Sequence, residues 1–136
     1  MIQQKELKRL GQKYRLDFIR LFGSAVVSKE KARDIDIAIG LRFLSLSERS
    51  EFIASLEKIF KKKIDLIVLS TRLSPLLIQE IGCHSIPLWE KPRSGRLVYA
   101  ELMSKLMAIA EDERLSFSQK LRNESIKTAQ RRLSVT

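Results

Sequence analysis

Leu21-Phe22-Gly23-Ser24 and, after a nine-residue spacer, Asp34-Ile35-Asp36-Ile37-Ala38-Ile39 form the stretch that decides how this chain folds. The second segment alternates strictly. A period of two is the repeat of a strand, so Ile35, Ile37 and Ile39 share one face and Asp34, Asp36 and Ala38 the other. The first segment closes a run, residues 17–22, rich in aromatic and branched side chains, as strands are. Gly23-Ser24 then turns the chain tightly. Two strands joined by a polar, basic spacer (residues 25–33) are therefore expected, the second with an apolar face and an acidic one.

Upstream, Leu7, Leu10 and Tyr14 recur at helical spacing among charges, which predicts a short amphipathic helix over residues 2–13, weakened by Gly11. Downstream, Phe52, Ile53, Leu56, Ile59 and Phe60 define a second helical stripe, with Ser47 as the expected cap and Lys61-Lys62-Lys63 at the end where cations are favoured. Residues 64–69, Ile-Asp-Leu-Ile-Val-Leu, read as a mostly apolar and hence central strand with Asp65 at its start. A short helix over residues 75–81 and a strand over residues 86–90 follow, the latter at a sheet edge because it contains Pro87. Cys83 and His84 fall in the loop between them, without partners at useful spacing. Residues 92–95 are the clearest turn.

Beyond it Val98, Leu102, Leu106 and Ile109 predict a firm helix, and Leu115, Phe117, Leu121 and Ile126 a looser helix or tail. Strand and helix alternation over residues 17–90 implies an α/β or α+β sheet domain with a C-terminal helical extension. The expected organisation is a domain over residues 1–112 and a basic helical tail over residues 113–136. Trp89 and the phenylalanines at 18, 22, 43, 52, 60 and 117 fall mostly on core stripes, which leaves no exposed aromatic row for stacking bases.

A chain of 136 residues is long enough to bury one real core. With one cysteine and one histidine it can build neither an internal disulfide nor a Cys/His zinc site, so a reducing, cytoplasmic setting is expected. No apolar run reaches the roughly 20 residues a membrane helix needs, and the N-terminus lacks the apolar segment of a secretory signal. The formal charge of +10 suggests an acidic partner. Half of that excess lies beyond residue 113, where six basic residues face one acid.

Asp34 and Asp36 on one strand face, with Asp65 available from a neighbour, concentrate negative charge that cations would relieve. Mg²⁺ suits such a site, since it takes oxygen ligands and commonly bridges one or two carboxylates to substrate phosphates. Two ions together stabilise both the attacking and the leaving oxygen of a displacement at phosphorus. The Gly23-Ser24 turn lets backbone and hydroxyl approach a polyphosphate, and Lys29, Lys31 and Arg33 lie beside it in sequence.

These residues, with Lys63-Ile64-Asp65-Leu66-Ile67, resemble the minimal nucleotidyltransferases of the polymerase-beta superfamily, whose signature is Gly-Ser, a spacer, Asp-x-Asp and a later Asp. More closely, the chain resembles the MNT-type antitoxins of toxin-antitoxin pairs. The resemblance implies an α+β fold, a mixed sheet with helices packed on one face, and transfer of AMP from ATP to a hydroxyl with release of pyrophosphate. By position, Gly23 and Ser24 would hold the triphosphate, Asp34 and Asp36 would bind two Mg²⁺ ions, and Asp65 would complete the second metal site and help activate the acceptor. The implied acceptor is a tyrosine of a partner HEPN-domain RNase toxin, in a hetero-oligomer. The spacer departs from the family's pattern: it is a residue short, Val26-Val27-Ser28 stands where Ala-Arg-Gly is usual, and Arg33 precedes the paired aspartates in place of Ser. That departure bears on transfer more than on metal binding. It keeps open an antitoxin that neutralises by complex formation alone, while the charge of +10 keeps open a basic nucleic-acid-binding protein.

Overall fold

The computed structural model of the chain describes residues 2–40 and 44–134. In chain order the elements are α1 (Ile2–Lys13), β1 (Phe18–Phe22), β2 (Asp34–Ile39), α2 (Leu46–Phe60), β3 (Lys63–Val68), α3 (Pro75–His84), β4 (Ile86–Glu90) and α4 (Gly95–Ser134), with a 3-10 turn over Gly23–Val26 between the first two strands.

The strands form one mixed sheet in the order β3-β2-β1-β4. β1 is antiparallel to both neighbours, and β2 runs parallel to β3, the pair being joined by α2 as crossover. The alternation in β2 does what its sequence demands. Ile35, Ile37 and Ile39 are buried with Ile19 and Leu21 of β1 against Leu7 and Leu10 of α1, Tyr14 in the turn after it, and Phe52 and Leu56 of α2. On the opposite face Ala38, Phe18 and Phe22 pack under Ile78 and Ile81 of α3 and Met103, Leu106 and Ala110 of α4. Helices therefore cover both faces, not one, because β1 carries large apolar side chains on each, Ile19 and Leu21 on one and Phe18 and Phe22 on the other.

Three further expectations are corrected. β3 is an edge strand rather than a central one. It is apolar because both its faces are covered: Ile64 and Leu66 enter the α1/α2 layer, while Ile67 and the following Leu69 enter the α3/α4 layer. The cap of α2 is Ser45, not Ser47: its side chain accepts from the Glu48 amide while the Glu48 carboxylate accepts from the Ser45 amide, a reciprocal box. Helix α4 is a single 40-residue element rather than a helix and a looser one. Its buried stripe ends at Ala110, and Leu115, Phe117, Leu121 and Ile126 beyond it are exposed. Phe117 thus leaves the core set, and Phe43 lies outside the described residues.

Gly11 has a packing reason to sit inside α1. A Cβ there would fall 2.3 Å from the indole ring of Trp89 on β4, so the ring lies where a side chain would otherwise be. Among the described residues no helix is long and apolar enough to cross a membrane.

Candidate active site

The register of the sheet gathers the predicted residues. Asp36 lies opposite Phe22 of β1, the residue before Gly23, and beside Asp65 of β3. Parallel pairing with no stagger puts Asp36 and Asp65 on the same face, and Asp34, two residues before Asp36, shares it. This is the face of α3 and α4, at the end of the sheet those helices leave open. Asp34 and Asp36 are half-buried there, and Asp65 is exposed on the edge strand.

Charge and burial act together on the middle carboxylate. Burial is the main influence raising the pKa of Asp36 above its ordinary value, and the negative charges of Asp65 and Asp34 add to it. Two acids that disfavour ionisation of a third between them make a site that gains by taking up a cation. Among the described residues no group of three His, Cys, Asp or Glu side chains is already drawn close enough to enclose an ion. An open set of acidic oxygens on one sheet face nonetheless fits Mg²⁺, which keeps several waters and relies on substrate phosphates for the remaining ligands.

Gly23 touches this set directly. Its φ of +74° is a backbone conformation that side-chain-bearing residues rarely adopt, and a Cβ built on it would lie 2.2 Å from an Asp36 carboxylate oxygen. The turn and the carboxylate therefore occupy one another's space, which only glycine permits. Ser24 is exposed at the start of the 3-10 turn, and its carbonyl accepts from the amides of Val27 and Ser28 at 3.2 Å.

The spacer is not a free loop. Ala32 is buried in the α1/α2 layer, and its amide donates to the Ser28 carbonyl. The ammonium of Lys62, from the bend between α2 and β3, donates to the carbonyls of Lys29, Glu30 (2.9 Å) and Ala32 (2.8 Å). Sequence reasoning missed this, taking the three consecutive lysines as favourable charge at a helix end. Lys29 lies over the ring of Phe60, 5.7 Å from its centre, while Lys31 and Arg33 are exposed. Cys83 and His84 belong to the last turn of α3 rather than to a loop, because the helix capped by Ser74 continues through them, and both are exposed.

Comparison with solved structures places this fold among toxin-antitoxin proteins. A chain of a toxin-antitoxin crystal structure with AMP-PNP superposes with a TM-score of 0.62 at 21% identity, over 87% of this chain and 98% of that one. A chain from the toxin-antitoxin MntA-HepT gives 0.58 at 20%, over 88% and 97%. A chain from the complex of tri-AMPylated Shewanella oneidensis HEPN toxin with MNT antitoxin gives 0.58 at 21%, over 88% and 97%. At these identities the likeness is one of fold. No curated protein sequence matches the chain. The family described as Polymerase beta, Nucleotidyltransferase matches residues 5–94, a span that contains the Gly23-Ser24 turn, Asp34, Asp36 and Asp65. A match over two-thirds of the sequence, on the segment that forms the sheet and its acidic face, settles the descent: the chain belongs to the polymerase-beta nucleotidyltransferase family.

Proposed function

We propose that this protein is an MNT-type antitoxin that transfers AMP from ATP to a tyrosine hydroxyl of a partner HEPN RNase toxin, with Asp34, Asp36 and Asp65 as catalytic and Mg²⁺-binding residues and Gly23 and Ser24 seating the nucleotide. The observation that carries the reading is the meeting of three carboxylates on one sheet face with a glycine turn pressed against the middle one. The toxin-antitoxin neighbours, one with an ATP analogue and one with an AMPylated toxin, support the choice of nucleotide and acceptor.

In this reading Asp34 and Asp36 would hold Mg²⁺, and Asp65 would contribute to a second ion. When bound, the ions neutralise phosphate charge and lower the pKa of the attacking hydroxyl. The remaining steps belong to the chain. Gly23 leaves room for the α- and β-phosphates next to Asp36, and the Ser24 hydroxyl donates to a phosphate oxygen. Asp65, exposed at the sheet edge, meets an acceptor arriving from outside and takes the hydroxyl proton. The acceptor oxygen bonds to the α-phosphorus as the bond to pyrophosphate breaks, and pyrophosphate leaves with its electron pair.

The test is the intact mass of the neighbouring HEPN-type protein after incubation with this chain, ATP and Mg²⁺, beside an Asp36→Asn control. A gain of whole AMP units that the control lacks is expected. An unchanged mass with a stable complex would replace transfer by neutralisation through binding, the second reading, which the exposed apolar residues of distal α4 favour.

A further inference from the structure

We infer that Lys62 is a positioning residue that tethers the spacer between the phosphate turn and the paired aspartates, and that it sets how tightly the site holds Mg·ATP. The inference rests on the reading of the site as a nucleotide site. Its geometry stands apart from that reading.

An ammonium has three N–H donors and no acceptor, and here the spacer offers it three carbonyls, those of Lys29, Glu30 and Ala32. Hydrogen bonds from a charged donor are the strong ones. Lys62 is half-buried and immediately precedes Lys63, which pairs with Asp34 across the parallel ladder. The ammonium thus carries the β2/β3 pairing one step beyond the strands, into a segment where backbone pairing has stopped. On one side of the tether lies the chain leading to Asp65, three residues on. On the other lies the chain leading back to Ser24 and forward to Asp34.

This is the segment in which the sequence departs from the family's pattern, with no glycine in residues 25–33 to set a turn. Backbone hydrogen bonds support only part of it: Val27 and Ser28 amides reach the Ser24 carbonyl, and the Ala32 amide reaches that of Ser28. The carbonyls of Lys29 and Glu30 accept from the Lys62 ammonium in place of a ladder partner. Without the ammonium, the loop that fixes the separation of Ser24 from Asp34 would keep the burial of Ala25 and Ala32 and the short-range bonds to Ser24 and Ser28, and would lose its link to the β3 side of the site. A phosphate turn whose position fluctuates binds nucleotide less well, since the ordering then falls at the moment of binding.

Lys62→Met keeps the stem and removes the charge and donors. In the full chain, amide exchange at residues 28–33 should speed up about tenfold or more while amides of β1 and β4 keep wild-type rates. By calorimetry with Mg·ATP, the variant should bind about tenfold more weakly than wild type. A role limited to stability would lower the melting temperature yet leave the affinity of the folded protein for Mg·ATP unchanged, so the affinity separates positioning from mere support. Wild-type exchange at residues 28–33, or wild-type affinity in the variant, would overturn the inference. If the wild-type chain itself binds no Mg·ATP, the nucleotide reading and the affinity half of the inference fail, whereas the exchange rates still decide whether Lys62 is a tether.

Discussion

The two ends of this molecule use apolar side chains in opposite ways. At the sheet, β1 and β2 bury apolar residues on both faces; Asp34, Asp36 and Asp65 gather at its acidic end, and the half-buried Arg20 of β1 is satisfied by Ser85 and the ring of Tyr99. Along distal α4 the relation is inverted: Leu115, Phe117, Leu121 and Ile126 stand in solvent among six basic residues and one acid. Partial burial among like charges raises the pKa of Asp36 and makes a cation-seeking acidic cluster at one end. Exposure of apolar residues along a single helix leaves a surface with nothing packed under it at the other. The difference teaches that chemistry and association can be separated within one short chain, each placed where the other's demands are absent.

The sharpest way to break that separation is Asp36→Asn. We expect transfer to fall about a thousandfold or more, since a metal ligand and its charge are lost together. In the absence of metal the same variant should melt at a higher temperature than wild type, because the acid that burial and two neighbouring charges disfavour becomes neutral. The sign follows from linkage. An acid whose pKa is raised on folding contributes stability that is fully present below its unfolded pKa and lost as pH rises through the folded one. With a chelator present, wild-type stability should therefore decline from acid pH upward through that window, and Asp36→Asn should remove this part of the decline. Thermal melts across pH for the two proteins check it.

Next in size is Leu106→Ala in the proximal part of α4. Leu106 is almost fully buried under the sheet, and its truncation should cost about 2–5 kcal/mol in denaturant unfolding. Gly23→Ala should cost about 1–3 kcal/mol from the positive φ alone. It should also weaken transfer by displacing the Asp36 carboxylate, so that its loss of activity exceeds what its loss of stability explains. Smallest is the paired change Phe117→Ser and Leu121→Ser. Both side chains are exposed, and unfolding free energy should move by no more than about 0.5 kcal/mol. If neutralisation proceeds by binding through this helix, the pair should nevertheless weaken co-purification with the HEPN-type partner, while leaving the melting temperature in place.

Much of this was legible in the sequence, and the exceptions have physical causes. The strict alternation of residues 34–39 reports a strand because side-chain direction reverses at every step, and the sheet places those residues as the pattern requires. The position of β3 was not legible, because a strand covered on both faces reads the same at an edge as in the middle. The cap at Ser45 was present as Ser-x-x-Glu, a signal overlooked in favour of Ser47. The continuity of α4 was also there to be found: no Gly or Pro interrupts residues 96–134, although the amphipathic pattern that usually announces a helix fades after Ala110. Of the acidic site, the participants were legible but the contact between Gly23 and Asp36 was not, since it arises from pairing between strands. Lys62 acts on a segment some thirty residues earlier, and no local pattern marks such a partner.

A helix of 40 residues is about 60 Å long at the usual rise per residue. It starts beside the sheet and runs on without a break, so whatever grips its far part is held on one continuous helical rod whose near part packs against the sheet that carries the acidic edge. Under the proposed function, a protein acceptor docked there would meet Asp65 as a tethered reactant, at an effective concentration set by the rod and not by the acceptor's own affinity for the site. Choice of acceptor would then be a matter of reach and angle. The reactive edge could recognise little more than a hydroxyl and still modify one protein among many.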